Sequence, residues 1–190
     1  MSRTKLKKIV FVCTGNTCRS PMAEYLLKEA LKKKKLRGFK VCSAGTEARK
    51  GDLINPKALY TLQLAGIKVG KFSSTPINEK LLKDAFLFIC MTEKHKDYLL
   101  DARWSVLRKA GEEEIENNVF SFKELVGYDV PDPYGYGEEE YRYVFQMLDR
   151  GMYEIIDNLQ LRNYALPSKT PATTGQKRGR KKKEIASLEV

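Results

Sequence analysis

A short apolar run that stops at a polar, glycine-containing loop constrains this chain more than any other feature. Lys7 to Val12 is rich in β-branched and aromatic residues and reads as a buried strand. The loop Cys13-Thr14-Gly15-Asn16-Thr17-Cys18-Arg19 follows. Ser20-Pro21 then reads as a helix N-cap with proline at the first helical position. Met22, Leu26, Leu27, Ala30 and Leu31 recur with helical spacing to about Lys35. Strand, loop and helix in that order make a unit that must pack its helix back onto a sheet.

The alternation continues. Phe39 to Ser43 reads as a second strand, Asn55 to Ala65 as a helix ended by Gly66, and Ile77 to Asp84 as a short helix. Ala85 to Met91 is almost wholly apolar, as a central strand buried on both faces requires. Glu93 to Leu100 reads as a helix and Asn118 to Phe120 as a short strand. Glu138 to about Arg162 is a long amphipathic helix with Tyr141, Val144, Phe145, Leu148, Met152, Ile155, Ile156 and Leu159 on its apolar face. Strands alternating with helices predict an α/β fold with a parallel sheet covered on both sides. Such sheets bind ligands at the carboxyl ends of their strands, where Cys13 lies.

Composition bounds the rest. The 190 residues suit one domain, 1–165, followed by a polar, basic tail, 166–190, that is expected to be disordered. No apolar stretch is long enough to span a membrane, and the run IVFVC is too short for a signal peptide. The cysteines Cys13, Cys18, Cys42 and Cys90 form no disulfide framework, and a single histidine, His95, argues against a structural zinc site. Free thiols point to the cytoplasm; no metal and no cofactor are expected, and the chain is expected to be a monomer. The net charge is +11, of which +5 lies in Ser168 to Val190. The tail segment QKRGRKKKE suits weak contact with nucleic acid or another acidic partner. No aromatic platform or nucleic-acid motif accompanies it, so the tail reads as an accessory. The run Lys32 to Lys35 reads as a solvated helix end.

The loop itself carries chemistry. Gly15 and Asn16 tolerate left-handed backbone, which lets successive N–H groups turn inward as an anion-binding nest. The start of the following helix adds unpaired donors and a positive dipole end. A thiolate at Cys13 is stabilised by these groups and by Arg19, whose planar fork grips two phosphoryl oxygens. Phosphoryl transfer needs mainly such positioning and charge stabilisation. The competing reading is a buried structural cysteine beside a turn.

The segment VCTGNTCRSPMAE resembles the signature of the low-molecular-weight protein-tyrosine-phosphatase family. The likeness continues through Ser43-Ala44-Gly45, Cys90-Met91-Thr92 and Asp132-Pro133-Tyr134-Gly135. It implies a three-layer sandwich around a four-stranded parallel sheet, with phosphorylated proteins as substrates. It also implies that Cys13 forms a phosphocysteine, that Arg19 binds the phosphoryl group and that Asp132 is the general acid and base. Thr14, Gly15, Asn16, Thr17, Cys18 and Tyr134 are then substrate-binding residues, and Asn16, Ser20 and Ser43 support the loop. Where many members have a histidine in that support, Lys71 aligns here. Asp129 is the rival to Asp132.

Thr14 after the nucleophile and Gly135 after Tyr134 resemble the bacterial protein-arginine-phosphatase subgroup. Phosphoarginine is therefore favoured, with phosphotyrosine as the alternative, since Tyr136 can restore a second aromatic wall. Arsenate reduction would need a thiol relay that the cysteine spacing does not offer. Cys18 is either a small loop residue or the partner of Cys13 in a protective disulfide. Cys42 and Cys90 read as buried apolar residues, His95 as a surface residue on an exposed helix, and Trp104 carries no signal.

Overall fold

One strand feeds two hydrophobic cores. In the computed structural model, which describes residues 5–112 and 117–166, β1 (Lys7–Cys13) leads into α1 (Arg19–Lys33) and β2 (Phe39–Gly45). Then come α2 (Pro56–Leu64), α3 (Glu79–Asp84), β3 (Leu87–Cys90), α4 (Glu93–Lys109), β4 (Val119–Ser121), α5 (Phe122–Val126) and α6 (Glu138–Asn158). Strand side chains alternate between faces. Ile9 and Phe11 therefore pack with Met22 and Leu27 of α1, Leu62 of α2 and Leu148 of α6, while Val10 and Val12 pack with Leu82 of α3 and Leu99 of α4. Each such side chain, fully buried, contributes about 1.5–3 kcal/mol of transfer free energy. The result is helices on both faces of a four-stranded parallel sheet in the order β2-β1-β3-β4.

That order positions the site. The chain leaves β1 for β2 on one side and later enters β3 on the other. The carboxyl ends of β1 and β3 therefore flank a crevice, the place where open α/β sheets bind ligands.

Several elements depart from the sequence reading. Helix α1 starts at Arg19 with Cys18 at the N-cap, not Ser20. The reason is that the Ser20 hydroxyl is occupied by Cys13, Asn16 and Ala44 instead of capping the helix. Helix α4 runs on to Lys109, because Leu99, Arg103 and Leu107 form one buried stripe in which an arginine fills an expected apolar position. Helix α5 was not anticipated, although Ser121 and Glu124 form a reciprocal capping box. Helix α6 ends at Asn158, and Gln160, with φ 47°, turns the chain into a short 3-10 segment, Leu161–Tyr164. Beyond it the Leu166 N–H donates to Arg37 O at 2.9 Å. Of the expected basic tail, 166–190, only Leu166 is described, and residues 167–190 lie outside the described residues.

Candidate active site

Cys13 closes β1 with its side chain buried, and the chain turns through Thr14 to Cys18 into α1. The turn needs a left-handed residue, and Asn16 supplies it at φ 53°. Its side chain is fully buried and hydrogen-bonded at both its nitrogen and its oxygen. Nδ2 donates to Ser20 Oγ at 2.9 Å, and Oδ1 accepts the Thr75 N–H at 2.8 Å. Three loop carbonyls accept bonds from outside the loop: Cys13 O from Thr46 N–H, Thr14 O from Glu47 N–H and Thr17 O from Asn55 N–H, at 2.9–3.0 Å. Carbonyls turned away in this manner suit a nest whose N–H groups converge on an anion. The loop also lies hard against the end of β2. A Cβ on Gly45 would sit 2.3 Å from Thr14 O and 2.9 Å from Asn16 N, so only glycine fits.

Beside the loop, Cys13 Sγ lies 2.9 Å from Ser20 Oγ, which also contacts Ala44 O at 3.3 Å. The buried Arg19 spreads its fork. Nη1 donates to Val130 O at 3.3 Å, and Nη2 donates to Thr14 Oγ1 at 3.4 Å and to Asp132 Oδ2 at 2.5 Å. The other carboxylate oxygen, Asp132 Oδ1, accepts the Tyr134 N–H at 3.2 Å. Asp132 is about half exposed, so it sits at the mouth, with buried Arg19 beneath it.

Cys13, Thr14, Gly15, Thr17, Cys18, Arg19, Asp132 and Tyr134 line one cavity of about 510 Å³. Asn16 and Ser20 lie buried next to it. Ser43 is placed differently: its hydroxyl donates to Glu24 Oε2 at 2.6 Å, and Glu24 also pairs with Lys28. Ser43 therefore anchors α1 and does not touch the thiol. Lys71 is exposed, and the Thr75 N–H serves Asn16 instead. Asp129 is exposed and does not border the cavity. Cys18 Sγ lies 3.2 Å from Tyr141 OH, and burial pushes its thiol up from the ordinary value, which keeps it protonated.

His95 corrects the sequence reading. It is not a surface residue: it is 8% exposed, with Nε2 2.9 Å from Thr14 Oγ1 and Nδ1 2.8 Å from Thr92 Oγ1. Burial, and then the Arg19 cation, lower its pKa from 6.5 to about 4, so the ring is neutral at physiological pH. A second cavity of about 380 Å³, bordered by His95 and Thr92, shares Thr14, Arg19, Glu47 and Asp132 with the first. The sequence reading also missed Glu47, Arg49 and Asp52, which line the first cavity from the turn after β2. Their signal was topological, since the segments after β2 and β3 end beside Cys13.

The family described as low molecular weight phosphotyrosine protein phosphatase matches residues 8–164. The protein-arginine-phosphatase of Bacillus subtilis (strain 168) is 34% identical over 155 residues, which cover 80% of this chain and 96% of that protein. The low molecular weight protein-tyrosine-phosphatase Ptp of Acinetobacter johnsonii is 30% identical over 130 residues, 68% of this chain and 82% of that one. Among solved structures, a YwlE arginine phosphatase mutant with a phosphorylated active-site serine has a TM-score of 0.69 at 32% identity, covering 80% of this chain and 95% of its own. The low molecular weight protein tyrosine phosphatase of T. tengcongensis has a TM-score of 0.68 at 32% identity, covering 80% and 98%. Sequence and fold thus agree with the anion-binding loop: the chain belongs to the low molecular weight phosphotyrosine protein phosphatase family and is a cysteine-dependent protein phosphatase.

Proposed function

We propose that Cys13 is the nucleophile of this phosphatase and that protein phosphoarginine is its preferred substrate. The observation that carries the reading is the convergence of the Cys13 sulfur, the Arg19 fork and the Asp132 carboxylate on one cavity. The phosphoryl group sits on the loop N–H groups and takes the Arg19 fork, which frees Asp132 to move to the leaving group. The thiolate sulfur attacks phosphorus, the bond to the leaving nitrogen breaks, and Asp132 gives that nitrogen a proton. Asp132 then accepts a proton from water as the water attacks the phosphocysteine, releasing phosphate and the thiolate. The single proton of Ser20 follows this cycle: it turns to Ala44 O beside a thiol and to sulfur beside a thiolate. The relative whose active-site serine is phosphorylated supports a covalent intermediate at this position.

Two hydroxyls favour phosphoarginine. Thr14 and Thr17 both line the cavity and offer acceptors to guanidinium N–H groups. Tyr136 lies outside that lining and gives no second aromatic wall, while its carbonyl accepts from Lys57. The relatives named protein-arginine-phosphatase support the same substrate. Phosphotyrosine is the second reading, favoured by Tyr134 at the mouth and by the Acinetobacter relative. Cys90, the thiol considered as a relay for arsenate reduction, is buried in the core on the α3 and α4 side and does not border the cavity.

The test is turnover of phosphoarginine and phosphotyrosine by the wild type, Thr14→Ile and Thr17→Ile. The wild type is expected to prefer phosphoarginine, and each isoleucine to shift the preference toward phosphotyrosine by about 10-fold or more. A wild type that ignores phosphoarginine overturns the substrate assignment.

A further inference from the structure

We infer that His95 is a positioning residue that holds the Thr14 hydroxyl as a hydrogen-bond acceptor toward the cavity, and so selects a guanidinium leaving group. The inference rests on the phosphoarginine reading above.

His95 stands in an unbroken chain of polar contacts. Thr92 Oγ1 meets Nδ1, Nε2 meets Thr14 Oγ1, and Thr14 Oγ1 accepts from Arg19 Nη2. Thr92 is the N-cap residue of α4, yet its side chain makes no capping bond. Its hydroxyl contacts the ring instead, although a threonine at this position usually caps the helix. The ring is thus held at both nitrogens.

A neutral imidazole has one N–H, and which nitrogen carries it decides what Thr14 offers. The Nε2 end points along the chain toward the Arg19 guanidinium. A cation on that side favours the bare nitrogen there, because the bare nitrogen is the negative end of the ring dipole. Nδ1–H then donates to Thr92 Oγ1, and the Thr14 O–H donates to Nε2. Thr14 Oγ1 keeps two lone pairs. One accepts from Arg19 at 3.4 Å, and the other faces the cavity that Thr14 borders. A phosphoarginine guanidinium presents N–H donors and finds an acceptor there, whereas the bridging oxygen of an aryl phosphate has no hydrogen to give. The opposite tautomer would release the Thr14 proton toward the cavity, donor against donor.

The chain contains one histidine, so selective nitrogen-15 labelling of histidine gives the spectrum of a single imidazole. At neutral pH the expected signature is a pyridine-type Nε2 and a pyrrole-type Nδ1. Kinetics supply the second readout. His95→Phe is expected to lower the ratio of kcat/KM for phosphoarginine over phosphotyrosine by about 10-fold or more. His95→Gln, whose amide can still reach Thr14, restores part of it. In a Thr14→Val background the His95→Phe change leaves the ratio unmoved, since the two residues act as one unit. A proton on Nε2, an equal loss on both substrates, or effects of the two substitutions that multiply independently overturn the role of His95 alone. A wild type that cleaves phosphotyrosine but not phosphoarginine overturns the substrate reading, and the selective role of His95 with it. If His95→Phe does not fold, the spectrum of the wild type and the ratio for His95→Gln decide.

Discussion

Asp132 uses its two oxygens for two different neighbours, Arg19 and the Tyr134 N–H. That geometry separates it from Asp129, which is exposed and away from the cavity. Asp132→Ala is expected to lower kcat about 10²-fold or more, the usual contribution of a positioned acid, while Asp129→Ala stays near the wild type. Steady-state kinetics check the pair, and the reverse order reassigns the acid. His95 yields a second prediction at this scale. Its pKa falls from 6.5 to about 4 on folding, chiefly through burial. The folded state therefore refuses a proton that the unfolded chain accepts below pH 6.5. The stability so contributed is complete above that value and is lost as pH falls toward about 4, at about 1.4 kcal/mol per pH unit inside the window. Urea unfolding across pH checks this: the wild type is expected to lose more stability than His95→Gln between those limits. Single residues were legible in the sequence where they sat in the loop motif. His95 was not, because a lone histidine on a charged helix carries no sign of what packs over it.

The loop between β1 and α1 was legible because its geometry is local. A buried strand, a residue that accepts left-handed backbone and a helix start lie within a few positions of one another. What holds the loop was less so. Gly45 lies in the Ser43-Ala44-Gly45 segment of the family likeness, yet its sequence does not show that the Thr14 carbonyl approaches it too closely for a side chain. Gly45→Ala is expected to displace the loop and lower kcat about 10²-fold while the sheet persists, since small misplacements of reacting groups carry costs of that size. Circular dichroism alongside turnover checks it; full activity in this variant would mean that the loop does not need the close approach. The start of α1 was misplaced by two residues for a related reason. Ser20 has the sequence of a cap, but its hydroxyl serves Cys13 and Asn16.

At the scale of the whole molecule, apolar runs and helical periodicity sufficed for the α/β class, and the four-stranded parallel order then explains the location of the site. Strand order is long-range information. It brings the ends of β1, β2 and β3 together, which is why Glu47, Asp52 and His95 border the same region as Cys13. The net charge of +11 is shared between the domain and residues 168–190, which carry +5. Removal of residues 167–190 is expected to leave kcat/KM unchanged while weakening any salt-dependent binding to polyanions. Activity assays and binding titrations at two salt concentrations check both halves, and a loss of turnover would give the tail a part in catalysis.

The central claim is covalent: the phosphoryl group passes through the Cys13 sulfur. The direct measurement is rapid denaturing quench of the wild type with radiolabelled phosphoarginine protein, followed by peptide mapping. The label is expected in the first turnover on the peptide that contains Cys13, and Cys13→Ser is expected to abolish turnover. Label on another residue, or a Cys13→Ser variant that turns over substrate like the wild type, would contradict it.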